Sequence, residues 1–259
     1  MKNDYISEIH EKDKLVLHPY EDLKDRGTYN RKLIVKSDNI YLYDENGKRY
    51  IDGPGGMWCN NIGHGNKEIA EAIKNQIETM DYCSPFSESS EKAAELASVL
   101  SELSPGDLNT VFFTPDGSSA NETALRFMML YNNILGRPEK KHIISRDQAY
   151  HGSTYLTASI TGKDREKNNF DFESTFIHHV GSPNPYRRKD NQTVDDFCDE
   201  KVKEFEDKIL EIGPNKVAAY IAEPVLASGG CIVPPKNYIK RFWEICKKYD
   251  VLYISDEVV

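Results

Sequence analysis

A turn containing Gly117 and Ser118 separates the apolar run Val111–Phe113 from a segment whose apolar residues recur at helical spacing. Glycine permits a tight turn, and the unpaired amides at the start of a helix favour an anion such as phosphate. The spacing alone favours a plainer interpretation, in which Ser118 or Ser119 only caps the helix. The turn is neither a P-loop nor a Rossmann fingerprint, because it lacks the lysine of the first and the glycine spacing of the second.

An aromatic and a titratable side chain follow a second apolar run, where Tyr150, His151 and Gly152 are consecutive. A tyrosine ring can stack on a planar ligand while its hydroxyl remains able to form a hydrogen bond. Taken alone, the group is better explained as a core tyrosine beside a hydrogen-bonded histidine.

Two carboxyl groups follow two further apolar runs. Glu223 precedes a proline and a glycine-containing loop, and Asp256 lies close to the last residue, Val259. Each has an ordinary explanation in a cap or a turn. Four such groups in a row are less ordinary, because ligands of open α/β sheets bind just beyond the carboxyl ends of the parallel strands. A site that uses Asp256, so near the end of the chain, is expected to be half a site.

These groups would be positioned by an alternation of helices and short apolar strands, which starts near residue 66 and is typical of a parallel sheet with crossover helices. Helical spacing of apolar residues predicts helices at 66–80, 89–103, 119–135, 196–212 and 236–249. Apolar runs predict strands at Val111–Phe113, His142–Ser145, Thr175–His178, Ala218–Ala222 and Val251–Ile254. The predicted fold class is therefore α/β with a mainly parallel sheet.

The first 65 residues predict a separate region. Residues 1–30 resemble a polar N-terminal arm, and short strands are expected at Leu33–Val35, Ile40–Tyr43 and Arg49–Ile51. Asn46-Gly47 is a strong hairpin-turn signal between the last two strands. We expect one domain at residues 1–65, an arm with a small meander, and a second domain at residues 66–259.

Composition excludes several classes of function. A formal charge of -9 over 259 residues argues against a nucleic acid or an anionic membrane as partner. No apolar stretch reaches membrane-spanning length and the first residues lack the apolar core of a secretion signal, so we expect a soluble, cytoplasmic protein. Five cysteines without a CxxC pair indicate free thiols. His178 and His179 would point to opposite faces of a strand, so no metal site is expected.

In their joint order these motifs resemble those of the class III aminotransferases, enzymes of the type I fold that use pyridoxal 5'-phosphate (PLP). The resemblance runs from about His18 to Val259. Within the class, the run from Trp58 to Gly65 and the run from Glu223 to Gly230 are most similar to omega-amino acid or amine:pyruvate transaminases.

The resemblance implies a role for each group. It places the PLP phosphate at Gly117 and Ser118, the faces of the pyridine ring against Tyr150 and Val258, and the pyridine nitrogen at Asp256. It places the edge of the ring at His151 and Gly152, and the substrate side at Glu223. It implies an amine pocket lined by Tyr20 and Trp58. In this scheme Asp256 and Glu223 are the catalytic residues present in the chain.

Two positions depart from the family pattern. Asp116 stands where many relatives have serine, and a carboxylate repels phosphate unless it points away or contributes only its backbone. Ser119 stands where relatives often have glutamate, which leaves the amide donors of the turn intact.

The family also uses a lysine that holds PLP as a Schiff base, downstream of the segment Asp256-Glu257-Val258. The sequence ends at Val259 without such a lysine, and Lys163 is rejected for the role because its charged neighbourhood predicts a solvated side chain. We therefore expect the N-terminal part of a longer enzyme, inactive by itself.

The resulting hypothesis is a homodimeric transaminase that moves an amino group from an amine or omega-amino acid to a 2-oxo acid such as pyruvate. Two alternatives stay open. One is a non-catalytic truncated product that binds or dimerises, and the other is a PLP lyase, racemase or aminomutase on the same scaffold.

Overall fold

The computed structural model describes the backbone of residues 2–259 and the side chains of residues 4–259. The chain divides into two compact units, one ending at Leu108 and the other running from Asn109 to Val259. The domain boundary expected between residues 65 and 66 stays a prediction.

The first unit combines a small antiparallel sheet with helices. The sheet has the order β1-β2-β3, and Gly47 forms the turn between the last two strands with a φ of 80°. Residues 53–65 are rich in glycine, and the helical turn within them is distorted, because Gly56 and Met57 have left-handed dihedral angles. The elements are α1 (Lys2–Asp13), β1 (Ile34–Asp38), β2 (Tyr41–Asp44), β3 (Arg49–Ile51), α2 (Gly55–Trp58), α3 (Lys67–Thr79) and α4 (Glu91–Leu103).

The second unit is a four-stranded parallel sheet with the order β5-β4-β6-β7, flanked by helices. This arrangement confirms the predicted α/β class. Its elements are α5 (Gly117–Ile134), β4 (His142–Arg146), α6 (Tyr155–Ile160), α7 (Asp164–Lys167), β5 (Ile177–Val180), α8 (Val194–Ile212), β6 (Val217–Ala222), α9 (Tyr238–Lys248) and β7 (Leu252–Ser255), with a 3₁₀ turn at Pro185–Arg187.

The core lies on both faces of this sheet. All six residues of β6 are buried, as expected for a central parallel strand covered on both sides. On one face, side chains of α8 and α9 such as Phe205 and Phe242 pack against Tyr220; on the other, Leu125 of α5 packs with Ile221. Because successive side chains of a strand point to opposite faces, each strand contributes to the packing on both faces of the sheet. The loops that follow the parallel strands lie at one edge of the sheet.

One predicted strand is wrong. Val111–Phe113 forms no strand, and Phe112 and Phe113 are 66% and 48% exposed. A strand needs a hydrogen-bonded neighbour, and the described sheet ends at β5 and β7, neither of which pairs with this segment. The turn before α5 therefore does not follow a strand.

Among the described residues, no helix is long and apolar enough to cross a membrane.

Candidate functional site

Three neighbouring strands end at the same edge of the sheet, because β4, β6 and β7 are adjacent and parallel. The loop after β4 carries Tyr150 and His151, β6 is followed directly by Glu223, and β7 is followed directly by Asp256. The structure thus brings together the groups that the sequence placed at separate strand ends. This edge is where ligands of open α/β sheets bind.

The Asp256 carboxylate is held through one oxygen. Oδ2 accepts hydrogen bonds from Nδ1 of His151 at 2.9 Å and from Nδ2 of Asn121 at 2.8 Å. In the described part of the chain, Oδ1 accepts none, although the side chain is only 14% exposed. An anionic oxygen with free lone pairs is therefore available at the edge of the site.

His151 supports Asp256 from inside the protein. Its side chain is fully buried, and its main-chain N donates to Oγ1 of Thr161 at 3.0 Å. Nδ1 donates to Asp256, while Nε2 is buried without a hydrogen-bond partner among the described residues. The proton therefore belongs on Nδ1, where the carboxylate accepts it. The expected position of His151 at the edge of a ligand ring stays a prediction.

Glu223 is bound at both of its carboxylate oxygens. Oε1 accepts from the main-chain N of Tyr150 at 3.0 Å, and Oε2 accepts from the main-chain N of Ala227 at 2.8 Å. The residue is 1% exposed, and the guanidinium of the buried Arg146 donates to its main-chain oxygen. Glu223 therefore joins the loop after β4 to the loop after β6, and its predicted catalytic role stays a prediction.

Lys163 lies beside Tyr150, contrary to the expectation of a solvated side chain. Its ammonium donates to Oγ of Ser228 at 2.8 Å and to Glu166 at 3.3 Å, and the side chain is only 13% exposed. Nζ is 5.5 Å from the centroid of the Tyr150 ring, at the border of a cavity of about 500 Å³. The prediction of a solvated lysine was wrong, because a charged sequence neighbourhood does not show which loops fold over a side chain.

The start of α5 is capped by Asp116. Its carboxylate accepts from the main-chain N of Ser119 at 2.8 Å and from the hydroxyl of Ser119 at 2.9 Å. These two hydrogen bonds hold the pKa of Asp116 below its usual value, so the group is ionised at neutral pH. The carboxylate turns toward its own helix, while space is open beside Gly117. The negative charge of Asp116 is the least favourable feature for an anion here.

Gly152 allows the loop after β4 to approach α5 closely. Its φ of 137° is rare for other residues, and an added Cβ would lie 2.6 Å from Oγ of Ser118 and 2.6 Å from Oγ1 of Thr157. The main-chain N of Ser153 donates to Oγ of Ser118 at 3.1 Å. Glycine is therefore required where the two segments meet.

Three other predicted residues are placed as follows. Tyr20 and Trp58 belong to the first unit, where both have positive φ angles. Val258 follows Asp256 by two residues and is 55% exposed. Their predicted roles in an amine pocket and at a ring face stay predictions.

Sequence reasoning missed Asn121 and Thr161, which hold Asp256 and His151. One signal was present for Asn121, which lies four residues after Gly117 and therefore on the same face of α5. Asparagine is also a poor helix former, and its burial inside a helix calls for a specific hydrogen bond. Thr161 offered no comparable signal.

Comparison with known proteins gives the family. Residues 24–259 match the family described as Aminotransferase class-III. The chain is 36% identical over 244 residues to the putrescine--pyruvate aminotransferase of Pseudomonas aeruginosa, covering 94% of this chain and 54% of that protein. It is 38% identical to gamma aminobutyrate transaminase 1, mitochondrial, of Solanum lycopersicum, covering 88% of this chain and 45% of that protein. The chain belongs to the class III aminotransferases, and it spans about half the length of these relatives.

A solved structure shows the same fold. The omega transaminase of Pseudomonas jessenii in complex with PMP superposes with a TM-score of 0.92 at 38% identity, covering 95% of this chain and 55% of that one. The family and this complex indicate PLP as the cofactor.

The residues of the second unit fit this cofactor. Oδ1 of Asp256 offers an open acceptor for a ring nitrogen, and the first turn of α5 offers amide donors beside the open space at Gly117. Asp116 is the one poor match, since its charge opposes a phosphate. The hydrogen bonds that its carboxylate accepts from Ser119 turn the negative charge toward the helix.

Proposed function

We propose that the whole protein is a PLP-dependent transaminase, which moves an amino group from an amine or an omega-amino acid to a 2-oxo acid such as pyruvate. The observation that carries the proposal is the Asp256 carboxylate, bound through one oxygen and open at the other. The names of the relatives support the substrate classes, since one is a putrescine--pyruvate aminotransferase and another a gamma aminobutyrate transaminase.

When bound, PLP supplies an electron sink for the carbanion that forms as the substrate loses a proton. Asp256 would accept the hydrogen of the ring nitrogen at Oδ1, and its negative charge would favour the protonated ring. Gly117 and Ser118 would bind the phosphate through the amides at the start of α5. Tyr150 would pack against one face of the ring and Val258 against the other.

The remaining roles concern shape. His151 would hold Asp256, and Gly152 would keep the loop after β4 close to Ser118. Glu223 would fix the loop that carries Tyr150, on the substrate side of the cofactor. Tyr20 and Trp58 are proposed as walls of the amine pocket, on the basis of the family resemblance alone.

The test is to supply the whole protein with PLP, pyruvate and either putrescine or 4-aminobutyrate, and to measure alanine. The proposal would be supported if alanine forms only when the amine is present and if the kinetics are those of a ping-pong reaction. Consumption of the amine without alanine, or racemisation of an amino acid substrate, would instead indicate a lyase or a racemase on the same scaffold.

We further propose that the whole protein is a homodimer located in the cytoplasm. The observation that supports the dimer is a stripe on α3, where Ile69, Ile73 and Ile77 lie on one helical face and are 43%, 55% and 62% exposed. Light scattering of the whole protein should give twice the mass of one chain, and a monomer at micromolar concentration would refute the dimer.

A further inference from the structure

The side-chain amide of Asn121 joins three segments of the second unit. Nδ2 donates to the main-chain oxygen of His151 at 2.8 Å and to Oδ2 of Asp256 at 2.8 Å. Asn121 itself lies in the first turns of α5 and is 9% exposed. Both acceptors are oxygens, so the nitrogen of the amide must face them, and both of its hydrogens are used. The helix, the loop after β4 and the end of β7 are thereby connected at one atom.

Asp256 is fixed at its backbone as well as its side chain. Its main-chain N donates to the main-chain oxygen of Ala222 at 2.9 Å, at the end of the adjacent strand. Two charge-assisted hydrogen bonds on Oδ2, from Asn121 and His151, then restrict rotation of the carboxylate. Oδ1, which accepts no hydrogen bond from the described residues, is consequently held in one direction.

Asn121 also determines the distance between the proposed phosphate donors and Asp256. It lies on the same rigid helix as Gly117 and Ser118, which are the proposed phosphate donors, and it binds the proposed acceptor for the ring nitrogen. A ligand with a phosphate and a ring nitrogen at a set distance binds more tightly when its two partners are already held at matching positions.

We propose that Asn121 is a positioning residue for Asp256, which ties one carboxylate oxygen to α5 and leaves Oδ1 for the ring nitrogen of PLP. The inference rests on the proposed function. Asn121 does not touch the reacting atoms in this scheme. It acts through Asp256, and its removal should weaken interactions of the ring nitrogen more than those of the rest of the cofactor.

The test compares PLP with its 1-deaza analogue, in which a C–H group replaces the ring nitrogen. Affinities are measured by quenching of protein fluorescence on the whole protein freed of cofactor. Asn121→Leu should weaken PLP binding by about tenfold, the scale of one hydrogen bond to a charged group. Binding of the deaza analogue should change by less than about twofold, well below the tenfold expected for one such bond.

A matched control is available on the same helix. Asn132 is 1% exposed and its Nδ2 donates to the main-chain oxygen of Met128 at 3.0 Å, away from the carboxylates of the site. Asn132→Leu should lower the melting temperature, but it should not change the affinity for PLP relative to the affinity for the deaza analogue. Asn121→Asp is a second variant of unchanged size, and it should lose more PLP affinity than Asn121→Leu because two carboxylates would then face each other.

A double-mutant cycle tests whether Asn121 affects PLP affinity through Asp256. If Asn121 acts through Asp256, Asn121→Leu should have no further effect on PLP affinity in an Asp256→Asn background. Equal losses for PLP and the deaza analogue, or additive losses in the double mutant, would overturn the inference. An unmodified protein that binds neither compound and forms no alanine would instead overturn the proposed function.

Discussion

Glu223 and Asp256 follow two adjacent strands and differ in how their carboxylates are used. Both oxygens of Glu223 accept from main-chain amides, those of Tyr150 and Ala227, and the side chain is almost completely buried. Only one oxygen of Asp256 accepts hydrogen bonds within the described residues, and its donors are side chains from α5 and from the loop after β4.

The difference indicates that Glu223 stabilises loops, whereas Asp256 is available to bind a ligand. A buried carboxylate whose lone pairs are bound by amides stabilises loops and has little capacity left for a ligand. A carboxylate held through one oxygen keeps a directed acceptor at the other. Removing Glu223 should therefore affect folding most, whereas removing the charge of Asp256 should affect chemistry most.

The largest effect is expected for Asp256→Asn. The substitution keeps the shape of the side chain but removes its negative charge, so the transamination rate of the whole protein should fall by about 10²-fold or more, as for other preorganised electrostatic groups. The affinity for PLP should fall much less. Both are measured on one preparation, by alanine formation and by fluorescence titration.

Asp250→Asn is the matched control for that variant. Asp250 precedes β7, at the opposite end of the strand, and pairs with Arg137. Its loss should leave the rate within about twofold, since surface ion pairs contribute little. An Asp256→Asn protein that loses rate and affinity in equal measure would remove the distinction between the two carboxylates.

Glu223→Leu should destabilise the fold by about 3 kcal/mol, because two amides lose their acceptor at a cost of about 1–3 kcal/mol each. Glu223→Gln keeps one acceptor oxygen and should cost less. Urea denaturation of the protein freed of cofactor measures both. Glu257→Gln changes an exposed group bonded to Ser255 and should have no measurable effect. A stable Glu223→Leu protein that had lost only activity would contradict the supporting role.

Gly152→Ala should cost about 1–3 kcal/mol, because alanine would be strained at this φ and its Cβ would press on Ser118 and Thr157. Gly230 provides the control, since its φ of 128° is similar and an added Cβ would meet only side-chain atoms of Ile232, at 3.8 Å and 4.0 Å. Gly230→Ala therefore reports the backbone strain without a close contact. Thermal melting that gave equal losses for both variants would show that the contact at Ser118 carries no energy.

The smallest expected effect concerns acid stability, at the neighbouring strand β5. Burial lowers the pKa of His179 from 6.5 to about 4, with a further contribution from the charge of Lys167. The unfolded chain therefore binds a proton between these values that the folded chain does not, and stability should fall as the pH drops from 6.5 toward 4. The loss is at most about 1.4 kcal/mol per pH unit. His179→Gln should flatten this slope in urea denaturation at pH 7 and pH 5, and an unchanged slope would refute the assignment.

Much of the fold could be predicted because each element has a local signal. Helices at 119–135, 196–212 and 236–249 were predicted close to α5, α8 and α9, since apolar residues recur along each at helical spacing. The short helices α6 and α7 were not predicted, because six and four residues are too few to show a period. The strand expected at Val111–Phe113 did not form, because this apolar run has no partner strand within residues 2–259.

The candidate site likewise has parts that could be predicted from local sequence pattern and parts that could not. Gly117, Tyr150, Glu223 and Asp256 each follow an apolar run or begin a helix, so local pattern located them. The contact of Lys163 with Ser228 joins residues 65 positions apart, and no spacing along the chain predicts it.

The amino-acid sequence alone determined the class of fold and the identity of the groups at the strand ends, because hydrophobic periodicity and glycine placement act over a few residues. Only the tertiary structure decided which lone pairs remain free. Asn121 and Asp256 are 135 positions apart, and Tyr150 and Glu223 are 73 apart. Hydrogen bonds over such separations exist only once packing of the helices on the parallel sheet has brought the strand ends together.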